Sequence, residues 1–167
     1  MDATLDRYAS LATSIGPDSP QPAIALPPFL EDAKAGFELL YRATPVTIET
    51  TCDPALSVRM ACSDLDATIT NLMSNAHQHA KSKIEISAYY ASQSLYLAVK
   101  DDGPGLDPKQ RTDATLWGER LDAKTPGSGF GLAIVSDLAE LYSGELTLGE
   151  SNLGGLEAKV RLEVPVP

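Results

Sequence analysis

The stretch that decides the fold runs Asn71-Leu72-Met73-Ser74-Asn75-Ala76-His77-Gln78-His79. Apolar residues recur around it at helical spacing, which predicts a helix. This apolar stripe consists of Leu65, Ile69, Leu72, Met73, Ala76 and Ala80. A helical wheel places Asp64, Asn71, Asn75 and Gln78 together beside the stripe, with the two asparagines one turn apart. Such a polar edge is either a solvated face or the side of a ligand site, and this helix alone leaves both open.

Two glycine-rich segments later in the chain favour the ligand site. Asp101-Asp102-Gly103-Pro104-Gly105 ends a predicted strand, so a carboxylate stands at a bend where glycines let the backbone approach a ligand. A plain surface turn fits this segment as well. Gly127-Ser128-Gly129-Phe130-Gly131 precedes a predicted apolar helix, whose free N–H groups and positive dipole end suit an anion. This second segment is neither a dinucleotide fingerprint nor a P-loop, because no strand leads directly into it and Gly-Lys-Ser/Thr is absent.

The composition is that of a soluble globular protein: 167 residues, of which 43% are hydrophobic and 22% charged. The formal net charge of −10 disfavours nucleic acid and anionic membranes as partners. No apolar run is long enough for a transmembrane helix, and Asp2, Asp6 and Arg7 interrupt any signal-peptide core. Cys52 and Cys62 match no metal-binding spacing, so we expect reduced thiols in a cytoplasmic protein.

Periodicity along the rest of the chain predicts an α+β fold. The predicted elements are a helix after Pro28, strands near residues 46–50 and 56–60, the central helix N-capped by Ser63 or Asp64, a hairpin turning at Ser92-Gln93, a loop over 106–126, a helix capped by Gly144 and a final hairpin turning at residues 152–155. This order predicts a two-layer α/β sandwich, with a mixed, largely antiparallel sheet covered on one face by helices.

The prolines predict how the chain divides. Residues 16–28 contain five prolines and predict a semi-rigid linker, which leaves residues 29–167 as the folded domain. Residues 1–15 place Leu5, Tyr8, Leu11, Ala12 and Ile15 at helical spacing. A short amphipathic helix at a terminus has little to pack on within its own chain, so we expect it to belong with a partner or with an upstream segment.

Taken in order, the three motifs resemble the N, G1 and G2 boxes of the Bergerat-fold ATPases. The segments NLMSNAHQHA, DDGPG and GERLDAKTPGSGFGLAIV are similar to the corresponding motifs in the catalytic, ATP-binding domain of sensor histidine kinases. The resemblance covers about residues 29–164. The resemblance implies transfer of the γ-phosphoryl of ATP to a histidine on a dimerisation domain, whose C-terminal helix end residues 1–15 resemble. It further implies ADP as the released nucleotide, a response regulator as an indirect partner, and a place in the cytoplasm or in the cytosolic part of a membrane-bound sensor.

The resemblance also implies a role for each site residue. Asn75 would hold Mg²⁺ with catalytic support from Asn71, and Asp101 would accept a hydrogen bond from the adenine amino group. Gly103 and Gly105 would line the adenine side, and the segment Gly127, Ser128, Gly129, Phe130, Gly131 and Leu132 would surround the phosphates. Residues 107–126 would form a lid, in which Arg120 reaches the γ-phosphate as a catalytic residue and Lys124 contacts the nucleotide.

Two positions depart from the family pattern. Gln78 stands where many relatives have lysine or arginine, and His79 where they have tyrosine. Gln78 can still hydrogen-bond a phosphate but brings no charge, so we expect modest affinity or rate. His77 falls on the outer helix face and is expected to be solvated. Neither His77 nor His79 is predicted to accept the phosphoryl group, because both lie in the nucleotide helix itself.

Two alternative functions stay open. One is a Bergerat-fold serine kinase or conformational ATPase, and the other is a nucleotide-binding adaptor without turnover. The relatives in the first class place a glutamate at the position of Asn71, where it activates water or a hydroxyl. An amide cannot take a proton at neutral pH, whereas a neutral imidazole acceptor already carries a lone pair and needs little such help. Asn71 therefore favours transfer to histidine. The uncharged Gln78 leaves the non-catalytic adaptor as an alternative function.

Overall fold

The computed structural model of the protein describes residues 21–110 and 131–167. Their elements follow the order β1 (Ala23–Ala25), α1 (Leu26–Leu40), β2 (Thr47–Cys52), β3 (Ser57–Arg59), α2 (Cys62–His79), β4 (Lys83–Ala91), β5 (Ser94–Asp101), α3 (Gly131–Leu141), β6 (Glu145–Glu150) and β7 (Leu156–Leu162). This succession confirms the predicted α+β class. Within the two described ranges, no helix has the length and apolarity needed to cross a membrane.

A five-stranded sheet forms one layer, with the strand order β2-β4-β5-β7-β6. Strands β2 and β4 run parallel, and every other neighbouring pair is antiparallel. The predicted β4–β5 hairpin is present, and its turn residues Ser92 and Gln93 both adopt positive φ. Strands β1 and β3 pair separately as a two-stranded antiparallel sheet. The prediction of a mixed, largely antiparallel sheet is therefore confirmed.

The core lies between one face of this sheet and the helices. Alternate residues of β4 and β7 are buried, and the middle strand β5 is buried at most of its positions. The register places Ile86 opposite Val99 and Leu97 opposite Val160 on the same face. The helical side of the core includes Leu30, Leu65, Ile69, Leu72, Met73, Val135 and Ala139. Each fully buried aliphatic side chain contributes roughly 1.5–3 kcal/mol, so the apolar stripe of α2 fixes the rotation of that helix on the sheet.

Helix α1 begins earlier than the sequence predicted, inside the segment assigned to the linker. It starts at Leu26, with prolines in its first turn, where their missing N–H groups cost nothing. Leu26 is fully buried, and its backbone N–H donates to the Leu56 carbonyl oxygen at 2.9 Å. Residues 23–28 thus belong to strand and helix, while residues 1–20 lie outside the described part of the chain.

The start of helix α2 also differs from its prediction. The helix begins at Cys62 with Ala61 at the N-cap position, and no side chain caps it. The prediction of Ser63 or Asp64 as the N-cap was therefore wrong. Asp64 lies inside the first turn of the helix, and its side chain is buried. Cys62 is exposed and, like Cys52, is a free thiol as predicted.

His77 is half-buried rather than fully solvated as predicted. Its ring packs against Tyr41, with the ring centroids 4.1 Å apart, and edge-on against Phe37 at 5.6 Å. Its Nε2 lies 3.0 Å from the carbonyl oxygen of Thr44. The sequence pattern of α2 alone assigned this face to solvent, because it could not show that the end of α1 and the turn after it cover the face.

Gly144 ends helix α3, but not by adopting a left-handed conformation. Ser143 takes the positive φ of 54°, and the Gly144 N–H donates to the Ala139 carbonyl oxygen at 2.7 Å. What requires a glycine here is close packing on β7. A Cβ atom at position 144 would lie 1.7 Å from the carbonyl oxygen of Arg161.

We predict that Gly144→Ala lowers the free energy of unfolding by about 1–3 kcal/mol or more, because the added methyl group forces α3 away from β7. Gly149→Ala is the matched control. Its Cβ meets nothing within 4 Å, so we expect an unchanged or slightly higher stability. Urea unfolding followed by circular dichroism measures both variants, and equal midpoints would contradict the packing role of Gly144.

Candidate functional site

The polar edge of α2 passes from the core to the surface. Asp64 and Asn71 are buried, Asn75 and His79 are half-buried, and Gln78 is exposed. Five members of the predicted stripe are buried beside them, namely Leu65, Ile69, Leu72, Met73 and Ala76, whereas the sixth, Ala80, is half-buried at the C-cap. The apolar residues thus anchor the helix while Asn75, Gln78 and His79 stay within reach of a ligand.

Asn71 lies where α2 meets the start of α3. Its side-chain Nδ2 donates to the Ala67 carbonyl oxygen at 2.7 Å, which fixes the amide within the helix. A Cβ atom at Gly131 would lie 3.4 Å from Asn71 Oδ1, an ordinary van der Waals distance, so the start of α3 lies beside this amide. The structure therefore places two predicted site residues, Asn71 and Gly131, next to each other.

Asp101 ends strand β5 on the core-facing side of the sheet and is 1% exposed. Its Oδ1 accepts hydrogen bonds from the backbone N–H groups of Gly103 at 2.9 Å and Leu156 at 3.3 Å. Burial raises the pKa of Asp101, while these two N–H groups act in the opposite direction. Since both bonds from the described residues end on Oδ1, the carboxylate is held in one orientation.

The Asp101–Gly105 turn packs against the end of α2. A Cβ atom at Gly103 would lie 2.2 Å from the His79 carbonyl oxygen, so only a glycine permits this approach. Gly105 has a φ of +70°, which a glycine adopts without strain. Helix α2 thus contacts both the turn after β5 and the start of α3, as a shared site requires.

Two residues that we did not predict complete the surroundings of Asp101. Asp102 accepts hydrogen bonds from the Lys81 N–H at 2.7 Å, the Ser82 N–H at 3.0 Å and the Ser82 hydroxyl at 2.6 Å. It thereby ties the segment after α2 to the end of β5. Burial alone would raise the pKa of Asp102, but hydrogen bonds from Ser82, Lys83 and Lys81 hold it well below its usual value.

Gly155 is the second residue that sequence reasoning missed. A Cβ atom there would lie 2.1 Å from Asp101 Oδ1 and 2.6 Å from the Gly103 nitrogen. The turn before β7 is closed by a hydrogen bond from the Ser151 N–H to the Gly155 carbonyl oxygen at 2.8 Å. We read the pair Gly154-Gly155 as a turn signal only, because nothing local in the sequence shows that this turn reaches Asp101.

Some of the remaining predicted site residues belong to the described ranges, and the others lie outside them. Gly131 and Leu132 open helix α3, as expected. Arg120, Lys124, Gly127, Ser128, Gly129 and Phe130 lie outside the described residues, as does most of the predicted lid. Among the described residues there is no cluster of three or more histidine, cysteine, aspartate or glutamate side chains that could hold a metal ion.

Residues 62–167 match the model of the histidine kinase-, DNA gyrase B- and HSP90-like ATPases, which is more than half of the chain. The chain belongs to this ATPase family. The family assignment makes it an ATP-binding domain and confirms the resemblance read from the three motifs.

The relatives of this ATPase-family chain include sensor kinases. The two-component sensor PhoQ of Pseudomonas aeruginosa is 34% identical over 136 residues, which cover 81% of this chain and 30% of that protein. The sensor protein PhoQ of Escherichia coli is 32% identical over 133 residues, which cover 80% of this chain and 27% of that protein. The chain therefore spans less than a third of the length of these relatives.

Solved structures confirm the ATPase-family fold. The mycobacterial sensor histidine kinase MprB superposes with a TM-score of 0.72 at 21% identity, covering 88% of this chain and 99% of that chain. Full-length ShkA, in a complex with AMPPNP, gives a TM-score of 0.80 at 19% identity and covers 98% of this chain and 35% of that chain. These likenesses establish the architecture.

We predict that Asp102→Asn lowers the free energy of unfolding at neutral pH, and that this decrease becomes smaller at acidic pH. The folded-state pKa lies below the unfolded value of about 3.9, so the stabilisation is complete above about pH 5 and is lost progressively as the pH falls below that. Urea midpoints between pH 3 and pH 7 measure the effect. Asp66→Asn removes the same charge from an exposed position of α2 and is the control. A destabilisation that stays constant with pH would contradict the prediction.

We further predict that Gly155→Ala weakens ATP binding about tenfold or more, because the new methyl group must displace the Asp101 carboxylate. Isothermal titration calorimetry measures the affinity, with thermal unfolding run beside it. Gly149→Ala adds the same methyl group to strand β6, where nothing lies within 4 Å, and should bind ATP like the wild type. An unchanged affinity in Gly155→Ala would show that Asp101 tolerates the displacement.

Proposed function

We propose that this chain is the catalytic part of a two-component sensor histidine kinase, which binds ATP with Mg²⁺ and passes the γ-phosphoryl group to a histidine on a dimerisation domain. The phosphohistidine would then serve a response regulator, and the domain would work in the cytoplasm. The observation that carries this proposal is the buried Asp101 carboxylate, held by two backbone N–H groups where the Asp101–Gly105 turn meets helix α2. The sensor kinases among the relatives support the same reading.

The adenine end of the proposed site rests on Asp101, Gly103 and Gly105. A carboxylate at a fixed orientation accepts a hydrogen bond from an exocyclic amino group, which adenine has at the position where guanine has a carbonyl oxygen. Burial of Asp101 strengthens that discrimination, because an unpaired polar group there costs more than it would in water. The close approach of Gly103 to His79 brings the turn against the end of α2.

The phosphate end rests on α2 and on the segment before α3. Asn75 presents an amide oxygen, a ligand type that Mg²⁺ accepts together with waters and phosphate oxygens. A bound Mg²⁺ would neutralise charge on the phosphates. Gly127, Ser128, Gly129, Phe130, Gly131 and Leu132 would surround those phosphates at the start of a helix, while Gln78, His79, Arg120 and Lys124 would supply further contacts. Asn71, which lies beside Gly131, would support the metal ligand Asn75 from the preceding turn of α2.

Transfer to histidine is favoured over transfer to serine or water by the environment of Asn71. Its amide nitrogen is committed to the Ala67 carbonyl oxygen, and an amide cannot act as a general base at neutral pH. An imidazole acceptor brings its own lone pair and needs no such base. Catalysis by this chain would therefore consist of positioning and charge stabilisation.

We predict that the chain binds ATP in a Mg²⁺-dependent manner and binds GTP about tenfold more weakly or worse. Calorimetric titrations of ATP and GTP, each with and without Mg²⁺, test the base and the metal together. Asn75→Ala should remove the Mg²⁺ dependence while the fold is retained, and Asn152→Ala, an exposed turn residue, is the control.

Two outcomes would count against this function. Equal affinity for ATP and GTP would remove the adenine contact assigned to Asp101. An unchanged Mg²⁺ dependence in Asn75→Ala would remove the metal assignment. If both nucleotides bind as proposed but no phosphoryl group reaches a histidine-bearing dimerisation domain added in trans, the non-catalytic adaptor becomes the better description.

A further inference from the structure

A buried hydrogen bond joins the two helices of the proposed site at the end away from the nucleotide. The Tyr142 hydroxyl, just after helix α3, donates to Asp64 Oδ2 in the first turn of α2 at 2.5 Å. Tyr142 is 3% exposed and Asp64 is 4% exposed. The roles proposed above for the nucleotide, the metal and the acceptor use neither residue.

The backbone of Tyr142 is fixed as well. Its carbonyl oxygen accepts a hydrogen bond from the Glu163 N–H at 2.8 Å, just after strand β7. Two residues further on, Gly144 packs against the Arg161 carbonyl oxygen. The end of α3 is therefore held on the sheet, and the Tyr142 hydroxyl extends this fixed point to the start of α2.

The other end of the same helix pair carries the predicted site. Gly131, the first residue of α3, lies beside the side chain of Asn71 in α2. In the proposed site the triphosphate bridges these helices, because Asn75 lies on α2 and Gly131 opens α3. A small rotation of one helix against the other would thus separate the groups that must act on the same phosphates.

The apolar stripe sets how α2 is rotated on the sheet, but apolar contacts are non-directional and add little to fix the angle of α3 against α2. A buried hydrogen bond to a carboxylate is directional and loses strength steeply with misalignment. Burial, followed by the hydrogen bond to Asp64, raises the pKa of Tyr142, so the phenol keeps its proton and remains a donor throughout the neutral range.

We propose that Tyr142 is a positioning residue for triphosphate binding, acting through its hydrogen bond to Asp64 to fix α3 against α2. The proposal rests on the function proposed above, in which Asn75 and the glycine segment hold the phosphates. It assigns no contact between Tyr142 and the nucleotide. We expect its effect to be selective, because the adenine end at Asp101 is held by β5, by the turn before β7 and by the C-terminal end of α2, none of which is α3.

The test compares two ligands in Tyr142→Phe. Mg²⁺–ATP engages both helices, whereas adenosine lacks phosphates and reports the Asp101 end alone. We expect the affinity for Mg²⁺–ATP to fall about fivefold or more, and the affinity for adenosine, measured by NMR titration, to change less than about twofold. Tyr90→Phe is the matched control, since the Tyr90 hydroxyl donates to the Val164 carbonyl oxygen at 2.9 Å, in a bond that joins neither helix. It should alter neither affinity.

Each other outcome has a defined meaning. Equal loss of both affinities would show a general structural role and overturn the proposal, as would an unchanged affinity for Mg²⁺–ATP. If Tyr142→Phe does not fold, Asp64→Asn replaces it, since the asparagine keeps a neutral acceptor for the Tyr142 hydroxyl. We expect Asp64→Asn to lose affinity for Mg²⁺–ATP but not for adenosine, to a smaller degree than Tyr142→Phe. An equal loss of both affinities in Asp64→Asn, or no loss of either, would also overturn the proposal. A wild-type chain that does not bind Mg²⁺–ATP would refute the function proposed above and this proposal together, whereas normal wild-type binding without selective loss refutes this proposal alone.

Discussion

The burial of one carboxylate at the end of a strand is the constraint on which the rest of the site depends. Asp101 continues the core-facing side of β5, where its neighbours in the register are aliphatic. A carboxylate in such a place needs hydrogen-bond donors, and here they come from the backbone of Gly103 and Leu156. Glycine at position 155 leaves space for the carboxylate, because a Cβ atom there would lie 2.1 Å from Asp101 Oδ1, and glycine at position 103 lets the Asp101–Gly105 turn pass the His79 carbonyl oxygen.

Helix α2 turns this local constraint into a site. Its apolar stripe packs on the sheet, so its rotation is set by the core, and its polar edge follows from that rotation. At its C-terminal end α2 abuts Gly103, and the segment that follows it is tied to β5 by Asp102. Nearer its middle, Asn71 lies beside Gly131 at the start of α3. The same helix therefore relates the adenine side to the phosphate side. The packing of the core and the geometry of the site are coupled through α2, because a change in either one would move this helix.

The sequence predicted those features that arise from periodicity within one element. The alternation in β4, β5 and β7 and the stripe on α2 gave the layers correctly, because each reflects which face of an element is buried. Features that need a contact distant in sequence were missed. From the sequence, Gly155 was a turn glycine, Asp102 was a residue adjacent to Asp101, and His77 was a surface residue. The contacts that give them their roles come from the turn before β7, from the segment after α2 and from α1, respectively. The first turn of α1 was misassigned because prolines suit a helix start as well as a linker.

Asn71 shows how packing and the proposed chemistry select the same residue. The position lies in the interface between α2 and α3, and its side chain is beside Gly131 at the start of α3. A glutamate at this position would place a charge in this half-enclosed interface, where it would need a partner. The amide needs none outside its own helix, because its nitrogen is satisfied by the Ala67 carbonyl oxygen. An amide paired in this way offers no general base at position 71, which suits an acceptor that brings its own lone pair.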